Sequence, residues 1–217
     1  MINMRSQDIA DISGVNFHIV GCGAIGSSVA TQLARLGANS FYLYDFDKVG
    51  VENVGVSQYI NDDIGKFKVQ ALRAHLWSIS QNITSNLNVG KFSSYEGNKE
   101  DILVLGLDSM SVRMEIVKIL AQCPSKPSVV IDGRMGAEQY QQYIYNNITV
   151  KQYEKDWYSD EDSDPEPCTR KATSYCSNMS GSFISNSIKN IVMKQPYFKE
   201  IIFNFSTLIL DKKKLVS

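Results

Sequence analysis

Residues 17–53 read FHIVGCGAIGSSVATQLARLGANSFYLYDFDKVGVEN. The stretch opens on Phe17-His18-Ile19-Val20, an apolar run too short for a helix and bounded by glycine, which reads as a buried strand. Gly21, Gly23 and Gly26 follow in G-x-G-x-x-G spacing, with Ala24 and Ile25 inside the turn. From Ser27 to Leu36, the residues Val29, Leu33 and Leu36 recur on one face of a helix, and Gly37 is placed to stop it. A second run, Phe41-Tyr42-Leu43-Tyr44, ends in Asp45, about 20 residues past the turn. The unit is strand, glycine turn, helix, strand, acid. Each part suits a nucleotide: Gly21 permits the tight turn, Gly23 lets a phosphate approach the backbone, and Gly26 lets helix and strand pack closely. The start of the helix attracts an anion, and the Asp45 carboxylate accepts from ribose hydroxyls. The expected fold is α/β: a Rossmann-like, doubly wound, mostly parallel sheet with antiparallel strands toward the C-terminus.

A dinucleotide-dependent dehydrogenase would share everything up to Asp45. Beyond it come Asp47, Val49, Asn53, Gln58 and the string Asp63-Ile64-Gly65-Lys66-Phe67-Lys68. This succession resembles the ThiF/MoeB/HesA family, bacterial relatives of ubiquitin-activating enzymes, whose pattern is D-x-D-x-V, an asparagine, an R-Q pair and D-x-G-x-x-K. The resemblance implies adenylation of the C-terminal carboxylate of a small ubiquitin-like or sulfur-carrier protein with ATP and Mg²⁺. It places Gly21, Gly23, Ala24, Ile25, Gly26, Asp45, Asp47, Asn53, Gln58, Lys68 and Asp108 at the nucleotide. The family's arginine before the glutamine is here Ser57, so either another cation serves, with Lys66, Lys68, Arg113 and Arg134 available, or adenylation is weak or lost and the chain is a nucleotide-binding scaffold with little turnover. A lysine on a solvated helix face is the plain alternative for Lys68.

Asp101 to Leu107 form another apolar run ending in Asp108, and ligands of open α/β sheets sit beyond such strand ends. Asp108-Ser109-Met110-Ser111-Val112-Arg113 matches the family's D-(N/S)-x-x-x-R motif, whose aspartate holds magnesium. Mg²⁺ takes one or two carboxylates plus phosphates. Alternatively, Asp108 caps the helix expected over Ser111–Ala121. Ser128–Ile131 is the next strand. The string that follows, Asp132-Gly133-Arg134-Met135-Gly136-Ala137-Glu138, suggests a special turn and resembles phage and mobile-element members of the family. Arg134 is the candidate for the missing positive charge, and Asp132 is expected to matter less than Asp108.

Net charge is −1 over 217 residues, which gives no basis for nucleic-acid binding. No run approaches the about 18 apolar residues of a membrane span, and the N-terminus lacks a signal-peptide core. A cytoplasmic protein, not membrane-bound, is expected. The whole length, 1–217, fits one nucleotide-binding (adenylation) domain. The four cysteines form no C-x-x-C pair, whereas many members of the resembled family hold structural zinc with two, so no zinc is expected. The resemblance also implies a homodimer, in which an N-terminal arginine, here Arg5, reaches the partner's nucleotide; a solvated terminal arginine is the alternative.

The remaining segments read as follows. A helix is expected from Lys66 to Trp77 and a strand from Ile83 to Val89. Gln139–Tyr145 and Ile148–Tyr153 alternate like antiparallel strands, a surface for the partner's extended C-terminal tail. Asp156–Pro167 is acidic and aperiodic, in the place of the family's tail-covering segment. Cys168 follows it, either a nucleophile helped by Arg170 and Lys171 or a small apolar residue. Thr173–Met193 reads as a helix, Ile201–Leu210 as closing strands, and Asp211–Lys214 as a basic tail.

Overall fold

The computed structural model describes residues 9–161 and 172–216. In chain order the elements are β1 (Asn16–Val20), α1 (Ala24–Arg35), β2 (Ser40–Tyr44), α2 (Val51–Val54), α3 (Lys68–Ile79), β3 (Thr84–Asn88), β4 (Ile102–Leu105) and α4 (Met110–Gln122). They continue with β5 (Val129–Gly136), β6 (Gln139–Asn146), α5 (Val150–Tyr153), α6 (Ser174–Val192), β7 (Tyr197–Asn204) and β8 (Ile209–Val216). The strands form one sheet in the order β3-β2-β1-β4-β5-β6-β7-β8. Pairing is parallel from β3 to β5 and antiparallel from β5 to β8. The expected Rossmann-like, mixed sheet is therefore present.

Alternation along the strands sorts the core into two layers. Phe17 and Ile19 of β1, Phe41 and Leu43 of β2, and Ile131 of β5 pack with Val29, Leu33, Leu72, Leu76, Ile184 and Ile188 of α1, α3 and α6. Val20, Leu103, Leu105 and Val130 face the other way, onto Met114, Val117 and Leu120 of α4 and Tyr153 of α5. A parallel strand buried on both faces must be apolar throughout, which is why β4 reads Ile-Leu-Val-Leu without a break. The order of connection reverses between β1 and β4. A crevice opens there at the carboxyl ends of the strands, where doubly wound sheets bind their ligands.

Four expectations need correction. The string from Asp132 to Gly136 is no turn: it continues β5, because Asp132 to Gly136 pair with Tyr143 to Gln139 of β6. Val150–Tyr153 is a helical turn, closed by the Thr149 and Gln152 side chains in a capping box. The stretch Asp211–Lys214 lies inside β8 and pairs with β7. Asp108 does not cap α4; Ser109 does, its hydroxyl accepting from the Val112 N–H.

Candidate functional site

The glycine turn closes directly onto the next strand. Gly21 has φ +88°, and a Cβ there would meet the Gly106 carbonyl at 2.8 Å. A Cβ on Gly26 would overlap the Gly21 carbonyl oxygen. These two glycines are demanded by the close passage of the turn and the β4 end, whose Gly106 N–H donates to Val20 O at 2.8 Å. Gly23 differs. Nothing lies within 4 Å of the place its Cβ would occupy. It starts α1, which has no side-chain cap and no acid in its first turn. Ala24 and Ile25 form that first turn, and the Ala24 carbonyl accepts from the Ser177 hydroxyl of α6 at 2.9 Å.

Asp45, at the end of β2, braces the turn. Its Oδ2 accepts from the Cys22 N–H at 2.7 Å and its Oδ1 from the Asp47 N–H at 2.8 Å. Burial raises the Asp45 pKa, opposed by these hydrogen bonds and by Lys68. Lys68 opens α3 and places its ammonium 2.9 Å from the Asp47 carboxylate. Burial works against the Lys68 charge, but the Asp47 hydrogen bond and the fields of Asp45, Asp47 and Asp108 outweigh it and raise its pKa. Carboxylates at two strand ends thus act on one cation: Asp47 by direct contact and Asp45 by its field after β2, and Asp108 by its field after β4. Asp108 is exposed. Among the described residues, no hydrogen bond or ion pair engages its carboxylate.

The loop after β2 is organised by its own polar groups. Asn53 Oδ1 accepts from the Gly50 N–H at 2.9 Å, the cap of α2. Gln58 bridges the two helices of one layer: its N–H donates to Ser27 Oγ and its side chain to Asn178 Oδ1. The Ser57 hydroxyl is buried with no hydrogen-bond partner among the described residues. Tyr59, which sequence reasoning passed over, donates to the carbonyls of Cys22 and Lys68, tying the glycine turn to the start of α3. A buried tyrosine next to Gln58 carried no local signal of that role.

The other cations are committed elsewhere. Asp132 is fully buried and carries both Arg113 and Arg134, and the Tyr153 hydroxyl donates to it at 2.9 Å. Arg134 also donates to the Asp156 carbonyl and lies 4.4 Å from the Tyr143 ring centroid. Arg134 therefore does not stand in for the arginine missing before Gln58. Arg113 donates to Leu105, Leu107 and Gly133 carbonyls, holding the loop that leads to Asp108. Lys66 pairs with Asp63 at 3.1 Å. Among the described residues, Lys68 is the cation that the fold brings to the crevice. Arg5 and Cys168 lie outside the described residues. Burial, with the Glu138 carboxylate, pushes the Cys176 thiol up to about 12.

Among the described residues no group of three or more His, Cys, Asp or Glu side chains is placed to hold a metal ion. A single exposed carboxylate such as Asp108 suits the mode in which Mg²⁺ takes most of its ligands from phosphate and water. No helix of the described residues is long and apolar enough to cross a membrane.

A family model described as the ThiF family matches residues 1–209. Ubiquitin-like modifier-activating enzyme 5 of Caenorhabditis briggsae is 29% identical over 125 residues, which are 51% of this chain and 29% of that protein. A crystal structure of E. coli MccB with ATP superposes with a TM-score of 0.74 at 17% identity, over 96% of this chain and 65% of that one. A crystal structure of PaaA gives 0.73 at 17% identity, over 94% and 64%. At such identities the superpositions show the fold alone. The chain spans under a third of the curated relative and about two thirds of the structural neighbours.

Proposed function

The chain belongs to the ThiF family, and from that membership we propose that it adenylates the C-terminal carboxylate of a small protein, with ATP and Mg²⁺. The observation that carries this reading is the convergence on Lys68 of Asp45, Asp47 and Asp108 beside the open N-terminus of α1. A dinucleotide oxidoreductase needs the glycine turn and Asp45 but gives no reason for the rest. In the proposed reaction a carboxylate oxygen bonds to the α-phosphorus of ATP, the bond to the bridging oxygen breaks, and pyrophosphate leaves with that electron pair.

Gly21, Gly23, Ala24, Ile25 and Gly26 seat the nucleotide, with Gly23 leaving space for phosphate. Asp45 takes the ribose, and Asp47 and Asn53 shape the phosphate side, backed by Gln58. Lys68, released in part from Asp47, neutralises charge as it moves to the leaving group. Asp108 would hold Mg²⁺, which when bound supplies charge neutralisation at the phosphates. Catalysis of this kind is positioning and electrostatics. The tail of a ubiquitin-like or sulfur-carrier protein is the substrate we favour, with the 217 residues working as one adenylation domain within a homodimer. That the curated relative is a ubiquitin-like modifier-activating enzyme supports the choice.

A second reading, a nucleotide-binding scaffold with little turnover, has one observation in its favour. Ser57 stands before Gln58, and Arg113 and Arg134 are both committed to Asp132. Thermal unfolding with Mg–ATP and with NADH tests nucleotide choice, since a ligand of the native state raises the midpoint. Mg–ATP is expected to raise it; a rise with NADH alone overturns the proposal. ATP–pyrophosphate exchange with a small protein ending in Gly-Gly then separates enzyme from scaffold.

A further inference from the structure

A carboxylate from far along the chain lies across the loop that carries Asp108. Asp160 accepts from the Met110 N–H, from the Ser111 N–H at 3.1 Å and from the Ser109 hydroxyl at 3.2 Å. Three residues earlier, the Trp157 indole N–H donates to the Met110 carbonyl at 2.9 Å. Asp156 anchors the same segment to the sheet, its carboxylate accepting from the Tyr145 hydroxyl at 3.0 Å and its carbonyl from Arg134. The opposite side of the loop is held by Arg113 through the Leu105 and Leu107 carbonyls. Asp108 is thus flanked by backbone gripped from both sides, while its own carboxylate makes no hydrogen bond or ion pair among the described residues.

We infer that Asp160 is a positioning residue for Asp108: its carboxylate, bridging Ser109, Met110 and Ser111, fixes the loop that presents Asp108 to the crevice. The Ser109 hydroxyl takes the Val112 N–H, and Asp160 takes the Met110 and Ser111 N–H groups which that cap leaves open, so it closes the start of α4 and at the same time ties down the residues next to Asp108. An acid at a helix start is favourable wherever it comes from. Here it comes from a segment that Asp156 and Trp157 also pin down, so the contact couples the β5–β6 surface to the Asp108 loop. The structural part stands on geometry; the consequence for nucleotide binding rests on the function proposed above.

The test has two arms on the full chain. Hydrogen exchange is measured for peptides covering residues 105–113 in the wild type, Asp160→Ala and Asp160→Asn. Faster exchange there in Asp160→Ala, with partial recovery in Asp160→Asn, which keeps one acceptor for the Met110 N–H, is the expected result. Unchanged exchange in Asp160→Ala overturns the inference whatever the protein binds. In the second arm, ATP affinity is compared in Mg²⁺ and in EDTA. Asp160→Ala is expected to lose about tenfold of the Mg²⁺-dependent part, the usual cost of removing support around a metal ligand, with metal-free affinity kept. Added to Asp108→Asn it should cost nothing more. An equal further loss in that background would show that Asp160 does not act through Asp108. No ATP affinity in the wild type would instead sink the ATP reading, leaving the exchange arm to decide the loop.

Discussion

Lys68 and Asp47 are joined twice: the ammonium lies 2.9 Å from the Asp47 carboxylate, and the Lys68 backbone N–H donates to the Asp47 carbonyl at 2.9 Å. The second bond fixes where α3 begins relative to the end of β2. The first leaves a cation whose partner is half exposed and therefore exchangeable for phosphate.

Lys68→Met is expected to lower ATP affinity about ten- to a hundredfold, the range for a hydrogen bond to a charged group. Stability should change little, because the partly exposed Asp47 pair contributes weakly. The raised Lys68 pKa fixes the sign of any pH effect. Its share of stability is complete below the unfolded lysine value of about 10.4 and fades only as pH rises through the higher folded value. Isothermal titration at pH 6 and pH 9 should therefore give the same ratio of wild-type to variant affinity; a ratio collapsing at pH 9 would contradict the assignment.

Asp132→Asn should be among the most destabilising single changes in the chain. For Mg²⁺-dependent chemistry the change is expected to be milder than Asp108→Asn, but for stability it is severe, since the side chain is buried between two guanidinium groups and the Tyr153 hydroxyl. Removing one partner of a buried ion pair leaves charge uncompensated and costs about 3–5 kcal/mol. Urea unfolding measures it. A midpoint within the scatter of wild type would mean that Arg113 and Arg134 find other acceptors.

How much of this was readable from the sequence follows from how local each signal is. The β1 turn, α1 and Asp45 were legible because periodicity and glycine spacing sit within a few dozen residues. The run from Asp132 to Gly136 was not, since its glycines mimic a turn and only pairing with Gln139–Tyr143 keeps it extended. β8 failed likewise: three lysines in a row carry no strand signal until β7 pairs with them. Thr149–Gln152 was a local capping box that alternation of apolar residues disguised. Asp160 reaching the start of α4, and Arg134 turning to Asp132, are contacts that no spacing reveals.

The two histidines give a pH signature. His18 is fully buried, with Asp101 on one ring nitrogen and Tyr44 on the other, both at 3.1 Å. Burial lowers its pKa, and Asp101 opposes this without reversing it. A base with a lowered folded pKa contributes full stability above the unfolded value of about 6.5 and loses it as pH falls toward the folded one. His75 is lowered as well, by burial and Arg35. Stability is expected to drop between pH 7 and pH 5, by at most about 1.4 kcal/mol per pH unit for each histidine. His18→Gln should remove about half of that slope. Equal slopes in denaturant titrations of both proteins would show that His18 titrates alike in the folded and unfolded chain, Asp101 offsetting its burial in full.

Gly23 and Gly26 separate folding from binding within one turn. A Cβ at Gly26 overlaps the Gly21 carbonyl and meets Ile19 Cγ2 at 3.0 Å, so Gly26→Ala must displace the turn or α1. A cost of about 1–3 kcal/mol or more is expected, as for other overpacked sites. At Gly23 the same methyl meets nothing, so no overlap opposes it there. Losing glycine as the helix cap is expected to cost about 1 kcal/mol, less than the overlap at Gly26. The methyl would nevertheless stand where phosphate approaches the backbone. Gly23→Ala should therefore melt closer to the wild type than Gly26→Ala does and bind ATP at least about tenfold more weakly, the cost of about one lost hydrogen bond to a charged group. If it binds as well as wild type, the phosphates do not lie over this turn, and the nucleotide assignment of Gly21 to Gly26 fails with it.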